Sequence, residues 1–240
     1  MALNKSTPEG QSRDTSRLSL ALKIAIALLM VDSIIELSFI SSMVAWLHRR
    51  ASLGFSVNYN GSSFLLAGEP EHIMVDQGHT SNGAAGTAFV LIGLGGILAL
   101  LLRHWSLNKT TALGTAARFI YYFWVSINIP AFFLTTGALA YVFAVTNAHR
   151  GQAIDVSLAA GLDGERYYVD YWTPQNWFPA VLQLDLLDAR DDIRNHLNVM
   201  RGWQYNLIPM FLIQLCVTVL AVSECFTRRK LARVVAYNGE

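Results

Sequence analysis

The chain has 240 residues, 53% of them hydrophobic and only 15% charged, against about 25% charged in a typical soluble domain. A formal net charge of +1 makes no electrostatic case for nucleic acid as a partner. The composition excludes an ordinary soluble surface, and the missing charge is concentrated in four blocks.

Residues 1–17 (MALNKSTPEGQSRDTSR) are polar, contain Pro and Gly, and read as a disordered tail. The first apolar block, Leu18–Leu47, is too long for a signal peptide. It carries Asp32 and Glu36 and ends in Trp46-Leu47-His48-Arg49-Arg50 without a small-residue cleavage pattern. In the connection 48–83, Phe55, Val57 and Tyr59 alternate. Asn60-Gly61 supplies the residues of a type I′ turn and Phe64 to Leu66 follow, which predicts a β-hairpin. Asn60-Gly61-Ser62 is also an N-glycosylation sequon.

The blocks Ala84–Leu102 and Phe119–Val145 are uncharged, and Leu207–Phe226 carries one acid near its end. Each block reaches the roughly 20 residues needed to cross about 30 Å of hydrocarbon. Gly86, Gly93, Gly95 and Gly96 in the second block predict close approach of a neighbouring backbone. Pro130 predicts a kink just after Asn128. In the long connection 148–206, Thr173-Pro174 reads as an N-cap followed by proline at the first helical position. From there Val181, Leu182, Leu186, Ile193 and Leu197 form one amphipathic stripe, with Asp185, Asp188, Asp191 and Asp192 opposite. Trp172, Trp177, Trp203, Tyr167, Tyr168, Tyr171 and Tyr205 are expected at the lipid headgroup level.

These elements specify an all-α membrane protein. Its four-transmembrane-helix bundle has spans near 18–47, 84–102, 119–145 and 207–226. Loops 48–83 and 148–206 build a small extracytoplasmic cap, with a hairpin and one amphipathic helix, and 227–240 forms a basic tail. Lys5, Arg13, Arg17 and Lys23, then Arg103, Lys109 and Arg118, then Arg228, Arg229, Lys230 and Arg233 form three basic clusters, while both long connections lack lysine. The positive-inside rule therefore predicts cytoplasmic termini, against the one dissent of Arg49-Arg50. Cys216 and Cys225 both fall in the last block, so no disulfide framework holds the loops. Cys225 reads as a buried thiol, with palmitoylation as the alternative.

Asp32 and Glu36 are the sharpest chemical signal. Four residues advance a helix by about 40° beyond a full turn, so both carboxyls share one face with Ser33. Each acid costs roughly 2.5–3.5 kcal/mol at a span centre on the insertion scale, which marks a functional-site candidate. Their candidate polar partners are Asn128, Thr135 and Thr136 in the third span, and Gln214 and Thr218 in the fourth. Two uses stay open: a proton donor, relay or cation site, and an interhelical hydrogen-bond clamp through Asn128 or Gln214. Glu224, four residues before Arg228, reads as an interfacial ion pair. Glu69, Glu71, His72, Asp76 and His79 lack a recognised metal spacing and read as solvated loop, so neither a metal nor a cofactor is expected. No P-loop, dinucleotide fingerprint, HExxH, GxSxG or CxxC occurs.

The topology resembles eukaryotic tetraspan proteins. It lacks the paired loop cysteines and tryptophan–leucine–tryptophan motif of the claudin-like group, and the Cys-Cys-Gly motif of tetraspanins. Tyr171-Trp172-Thr173-Pro174-Gln175-Asn176-Trp177-Phe178, with Trp203-Gln204-Tyr205-Asn206-Leu207-Ile208-Pro209, resembles uncharacterised four-span proteins of filamentous ascomycetes over roughly residues 165–226. That family implies no activity. Integral membrane terpene cyclases of fungal secondary-metabolite clusters also use intramembrane acids, but they have more spans, and no residue is carried over from them. The expectation is a non-enzymatic protein of the lipid bilayer, in the plasma membrane or an endomembrane. It would organise partners or contribute to transport, with 148–206 as the protein-binding loop and homo-oligomerisation compatible. The alternative is a membrane-embedded enzyme on a polyketide or terpenoid, with Asp32 or Glu36 as general acid.

Overall fold

Helix α1 runs unbroken from Pro8 to Arg49. The structure, a computed structural model, describes residues 8–106, 109 and 111–238. Residues 8–17, expected as disordered tail, are thus the first turns of α1, while residues 1–7 of that tail lie outside the described residues. Proline costs nothing at the first helical position, and the Glu, Gln and Arg that follow it are good helix formers. Once a long helix is nucleated, adding such residues is easy.

The chain continues through the hairpin strands β1 (Phe55–Tyr59) and β2 (Ser62–Leu66), then α2 (Asp76–Thr87), a π-helical segment Ala88–Leu94, and α3 (Gly95–Ser106). Helices α4 (Ala112–Ala148), α5 (Val156–Leu162), α6 (Pro174–Val181) and α7 (Arg190–Asn238) follow. Four stretches, Thr15–Leu53, Asp76–Ser106, Ala112–Ala148 and Arg190–Lys230, are long and apolar enough to cross a membrane. They agree with the four expected blocks and extend beyond each. The second starts eight residues early, at Asp76 rather than Ala84. The basic tail after 226 is the helical continuation of α7 as far as Asn238. Pro130 and Pro209 lie inside α4 and α7 without ending them.

The chain divides into two compact units. One comprises Met1–Ile34, Ala84–Thr136 and Pro209–Glu240, the other Ile35–Gly83 and Gly137–Ile208. In the first unit the four helical segments pack as a bundle. Leu22, Ala25, Ile26 and Leu29 of α1 are buried, while Leu20, Ile24, Leu28 and Val31 on the opposite face are exposed. That outward apolar face is what a lipid solvent requires. Of the four glycines expected to allow close approach, Gly93 and Gly96 do so, with side chains rather than backbone, while a Cβ on Gly86 would meet nothing within 4 Å. A Cβ on Gly93 would lie 2.5 Å from Met30 Cγ, and one on Gly96 2.7 Å from the Trp124 indole. Trp124 Nε1 donates to Ile92 O at 3.2 Å, a carbonyl of the π-helical segment. Widened turns of this kind give up regular bonding, and the indole supplies a donor there.

The second unit contains the hairpin and its own core. Tyr59 pairs with Ser62 across a two-residue turn whose Asn60 (φ 53) and Gly61 (φ 82) are both left-handed, as a type I′ turn demands. Both hairpin edges are covered. Asn58 N donates to Asp185 O and Leu187 N to Ser56 O beside β1, and Gly164 N donates to Leu65 O beside β2. Phe55, Val57, Phe64 and Leu66 point into a core with Trp172, Trp177, Phe178 and Tyr167, all at most 8% exposed. Each such fully buried large side chain contributes about 1.5–3 kcal/mol.

Two expectations for this region are overturned. Trp172, Trp177, Trp203 and Tyr167 are buried inside the protein rather than presented on its surface, and of the seven only Tyr168, Tyr171 and Tyr205 are exposed. The indoles can be buried because their N–H groups find acceptors: Val169 O for Trp172, Gly68 O for Trp177 and Ser81 Oγ for Trp203. The single amphipathic helix from Pro174 is instead two helices. Pro179 lies within α6, and Ala189 adopts φ 60. Arg190 then donates to Leu182 O at 2.8 Å, a carbonyl at the end of α6, and to Leu184 O at 2.7 Å, which also accepts from Leu186 N. Thr173 and Pro174 do occupy the N-cap and first helical positions of α6.

Candidate functional site

The buried stripe of α1 runs from Leu22 through Leu29 to Ile40 and Met43 at helical spacing, and the intramembrane acids interrupt it. Asp32 is 9% exposed, and Ser33 and Glu36 are fully buried. Ser33 Oγ donates to Leu29 O at 2.7 Å, within its own helix. Glu36 accepts from Asn206 Nδ2, 3.0 Å from Oε2. The sequence pointed to Asn128 or Gln214 as clamp, and Asn206 of α7 was missed because it lay inside an assumed loop. Asn128 Nδ2 turns to Trp124 O at 2.8 Å. Thr218 Oγ1 donates to Gln214 O at 2.8 Å and reaches Asn128 O at 3.4 Å, tying α4 to α7 in the first unit. Thr135 and Thr136 bond back to Ala131 O and Phe132 O. Among the described residues the buried amide of Gln214 has no hydrogen-bond partner, which marks a place for ordered water.

A second polar site is stronger than the sequence indicated. Glu224 of α7 is fully buried. It accepts from Arg228 Nε at 2.6 Å, the pair expected from the four-residue spacing, and also from Arg103 Nη1 of α3 at 2.6 Å. Tyr121 of α4 donates its hydroxyl to the same carboxylate. The Arg103 guanidinium also lies 4.8 Å from the Tyr121 ring centre. One carboxylate thus gathers three helices. Its partners on α3 and α4 are 121 and 103 residues away in sequence, so no local pattern announces those two.

In the second unit a cavity of about 240 Å³ lies among Ile40, Met43, Leu47, Val75 and Trp203. A more polar one of about 460 Å³ is lined by Arg150, Gln175, Gln183 and Arg201. Neither is lined by Asp32 or Glu36. Among the described residues no three His, Cys, Asp or Glu side chains converge as metal ligands. His72, from the acidic stretch of the first connection, stacks on Tyr171 with ring centres 5.0 Å apart. Asp155 caps α5 by accepting from Ser157 and Leu158 N–H groups. The Ser157 hydroxyl, followed by the Leu158 amide, holds its carboxyl below the usual aspartate range.

Four helices of spanning length and apolarity make this a multi-pass membrane protein of all-α class with a small β-hairpin. No protein-family model, curated protein or solved structure matches the chain.

Proposed function

We propose that the protein is a non-enzymatic membrane organiser whose hairpin-bearing unit docks a partner protein through residues 148–206. The observation that carries this reading is a division of labour among its aromatics. Trp172, Trp177 and Phe178 make a core without exposed surface, while Tyr168 and Tyr171 are 49% and 60% exposed and surplus to that core. Rigidly mounted exposed aromatics are the usual anchors of protein interfaces. Leu187 and Leu65, exposed around the hairpin, extend the apolar surface available. In the orientation proposed, both termini are cytoplasmic and this unit faces outward, where Asn60 on its exposed turn would accept a glycan.

A photo-crosslinking residue placed at Tyr171 in native membranes tests the reading. A discrete adduct that disappears in the Tyr168→Ala/Tyr171→Ala double variant is expected. An adduct at twice the chain's 26.6 kDa would identify the partner as a second copy. Absence of any discrete adduct from Tyr168, Tyr171 and Leu187 would sink the proposal.

One observation favours the second reading, a membrane-embedded enzyme on an apolar substrate: Asp32 and Glu36 face inward on α1 instead of toward lipid. Asp32→Asn/Glu36→Gln retains shape and most hydrogen bonding while removing proton exchange. Unchanged thermal stability in detergent would support a chemical role, and a clear loss would assign the acids to folding.

A further inference from the structure

A cavity of about 410 Å³ opens in the first unit beside the Glu224 cluster, between α1 and α3. Its composition is unusual for a gap between spans. Lys23, Arg103, His104 and Arg228 supply basic groups, and Ile97 and Leu101 belong to an apolar wall. Lys23 sits inside the first apolar block, where a lysine facing hydrocarbon is unfavourable. Among the described residues it enters no ion pair.

Glu224 does not neutralise this site; it orients it. It engages Nη1 of Arg103 and Nε of Arg228. A guanidinium has five N–H donors, more than Glu224 engages: Arg103 shares its remaining donors with the Tyr121 hydroxyl, and the terminal nitrogens of Arg228 enter no other side-chain bond among the described residues. Three basic side chains, Lys23, Arg103 and Arg228, therefore line the cavity, and one carboxylate pairs with two of them. Two of them are held in place before any ligand arrives. Exposed Ile97 and Leu101, 45% and 62% accessible, continue the wall onto the apolar outer face. A phosphate seated among the cations would thus have a track for an attached hydrocarbon chain.

We propose that this cavity is the headgroup site of an anionic phospholipid, its phosphate held by Lys23, Arg103 and Arg228 and an acyl chain lying along Ile97 and Leu101. Basic pockets between spans recognise acidic lipid headgroups by this combination of charge and apolar wall. The volume falls in the range of small-molecule sites, and a free phosphate would leave the apolar wall unused. The inference is independent of what the other unit docks.

Native mass spectrometry of the full chain, with phosphatidate or phosphatidylcholine of equal chain length, reads the site directly. One saturable equivalent of phosphatidate is expected, with phosphatidylcholine bound more weakly. Lys23→Gln should weaken phosphatidate binding about fivefold, the effect of removing one cation near a membrane surface, and Lys23→Arg should restore it. Leu101→Trp, which narrows the apolar wall without touching a charge, should reduce binding on its own. Melting temperatures of all variants in phosphatidylcholine should match the wild type. Equal affinity for the two lipids, or binding unchanged by both Lys23→Gln and Leu101→Trp, overturns the proposal. Full displacement of phosphatidate by inorganic phosphate, with no dependence on acyl-chain length, overturns it in favour of a free-anion site.

Discussion

The indole N–H of Trp46 donates to Asp192 Oδ2 at 2.9 Å, closing a loop of 146 residues between the end of α1 and the first turn of α7. The same carboxylate lies 3.7 Å from Arg50 Nε and 3.2 Å from His196 Nδ1. The His196 ring stacks on Trp46 with centres 4.5 Å apart and planes 13° from parallel. Asp192 also complements the positive end of the α7 dipole.

Asp192→Ala strands the buried Trp46 indole donor, and a loss of about 1–3 kcal/mol is expected. Little of it should come from the ion pairs, because the Asp192 side chain is 37% exposed. Asp192→Asn keeps an acceptor in reach and should cost less than half as much. Thermal unfolding in detergent, followed by tryptophan fluorescence, distinguishes the two. Equal losses would show that charge rather than the indole bond dominates.

Glu224→Gln leaves Arg103, only 11% exposed, without its carboxylate. Breaking a buried pair from one side costs about 3–5 kcal/mol, and the lower end is expected because Arg228 is 33% exposed. Arg228→Gln should be several times milder, since Arg103 and Tyr121 still satisfy Glu224. The ordering of the two melting temperatures is the check, and a reversed ordering would refute the assignment of Arg103 as principal partner.

The Asp155 cap predicts a pH dependence. Its folded pKa is depressed, with the Ser157 hydroxyl the largest cause and the Leu158 amide next. The folded protein therefore binds this proton less readily than the unfolded chain does. The cap's contribution is complete above the ordinary aspartate pKa and is lost as pH falls through the depressed folded value. Amide hydrogen exchange in Val156–Leu162 should accelerate over that acid window relative to neighbouring helices, and Asp155→Ala should show the fast rate at neutral pH too. A window above the ordinary aspartate value would contradict the cap.

Gly68→Ala should be among the most damaging small substitutions. Its Cβ would fall 1.6 Å from Ala51 O, a backbone atom that cannot swing aside, and the Gly68 carbonyl holds the Trp177 indole. Loss beyond about 4 kcal/mol is expected, seen as rapid proteolysis of the second unit. Gly78→Ala in α2 is the control. Its Cβ meets nothing within 4 Å, and alanine in a helix gains about 0.5–1 kcal/mol over glycine.

What was legible in the sequence was what short-range rules encode. Apolar length revealed four spans, Asn60-Gly61 the hairpin turn, and Thr173-Pro174 the start of α6. Helix α5 carried a usable signal in Asp155 followed by Ser157, yet its seven residues show no resolvable periodicity. The break at Ala189 was hidden because Leu186 kept the stripe going between Leu182 and Ile193, although Leu186 bridges to Val57 of the hairpin. The π-helical turns, the Asn206 bond to Glu36 and the Arg103 bond to Glu224 depend on packing between segments far apart in sequence. Aromatic belts and aromatic cores share one composition, so only the carbonyls awaiting Trp172 and Trp177 distinguish them.

Those indole clasps have a consequence for where the protein can exist. Neither cysteine belongs to the unit they hold together, because Cys216 and Cys225 both lie after Pro209 in α7. Small extracytoplasmic modules commonly rely on cystine bridges, which ties their integrity to the reduction potential around them. The hairpin-bearing unit contains no cysteine, so its integrity does not depend on glutathione. Its packing therefore does not change with the reduction potential on either side of a membrane.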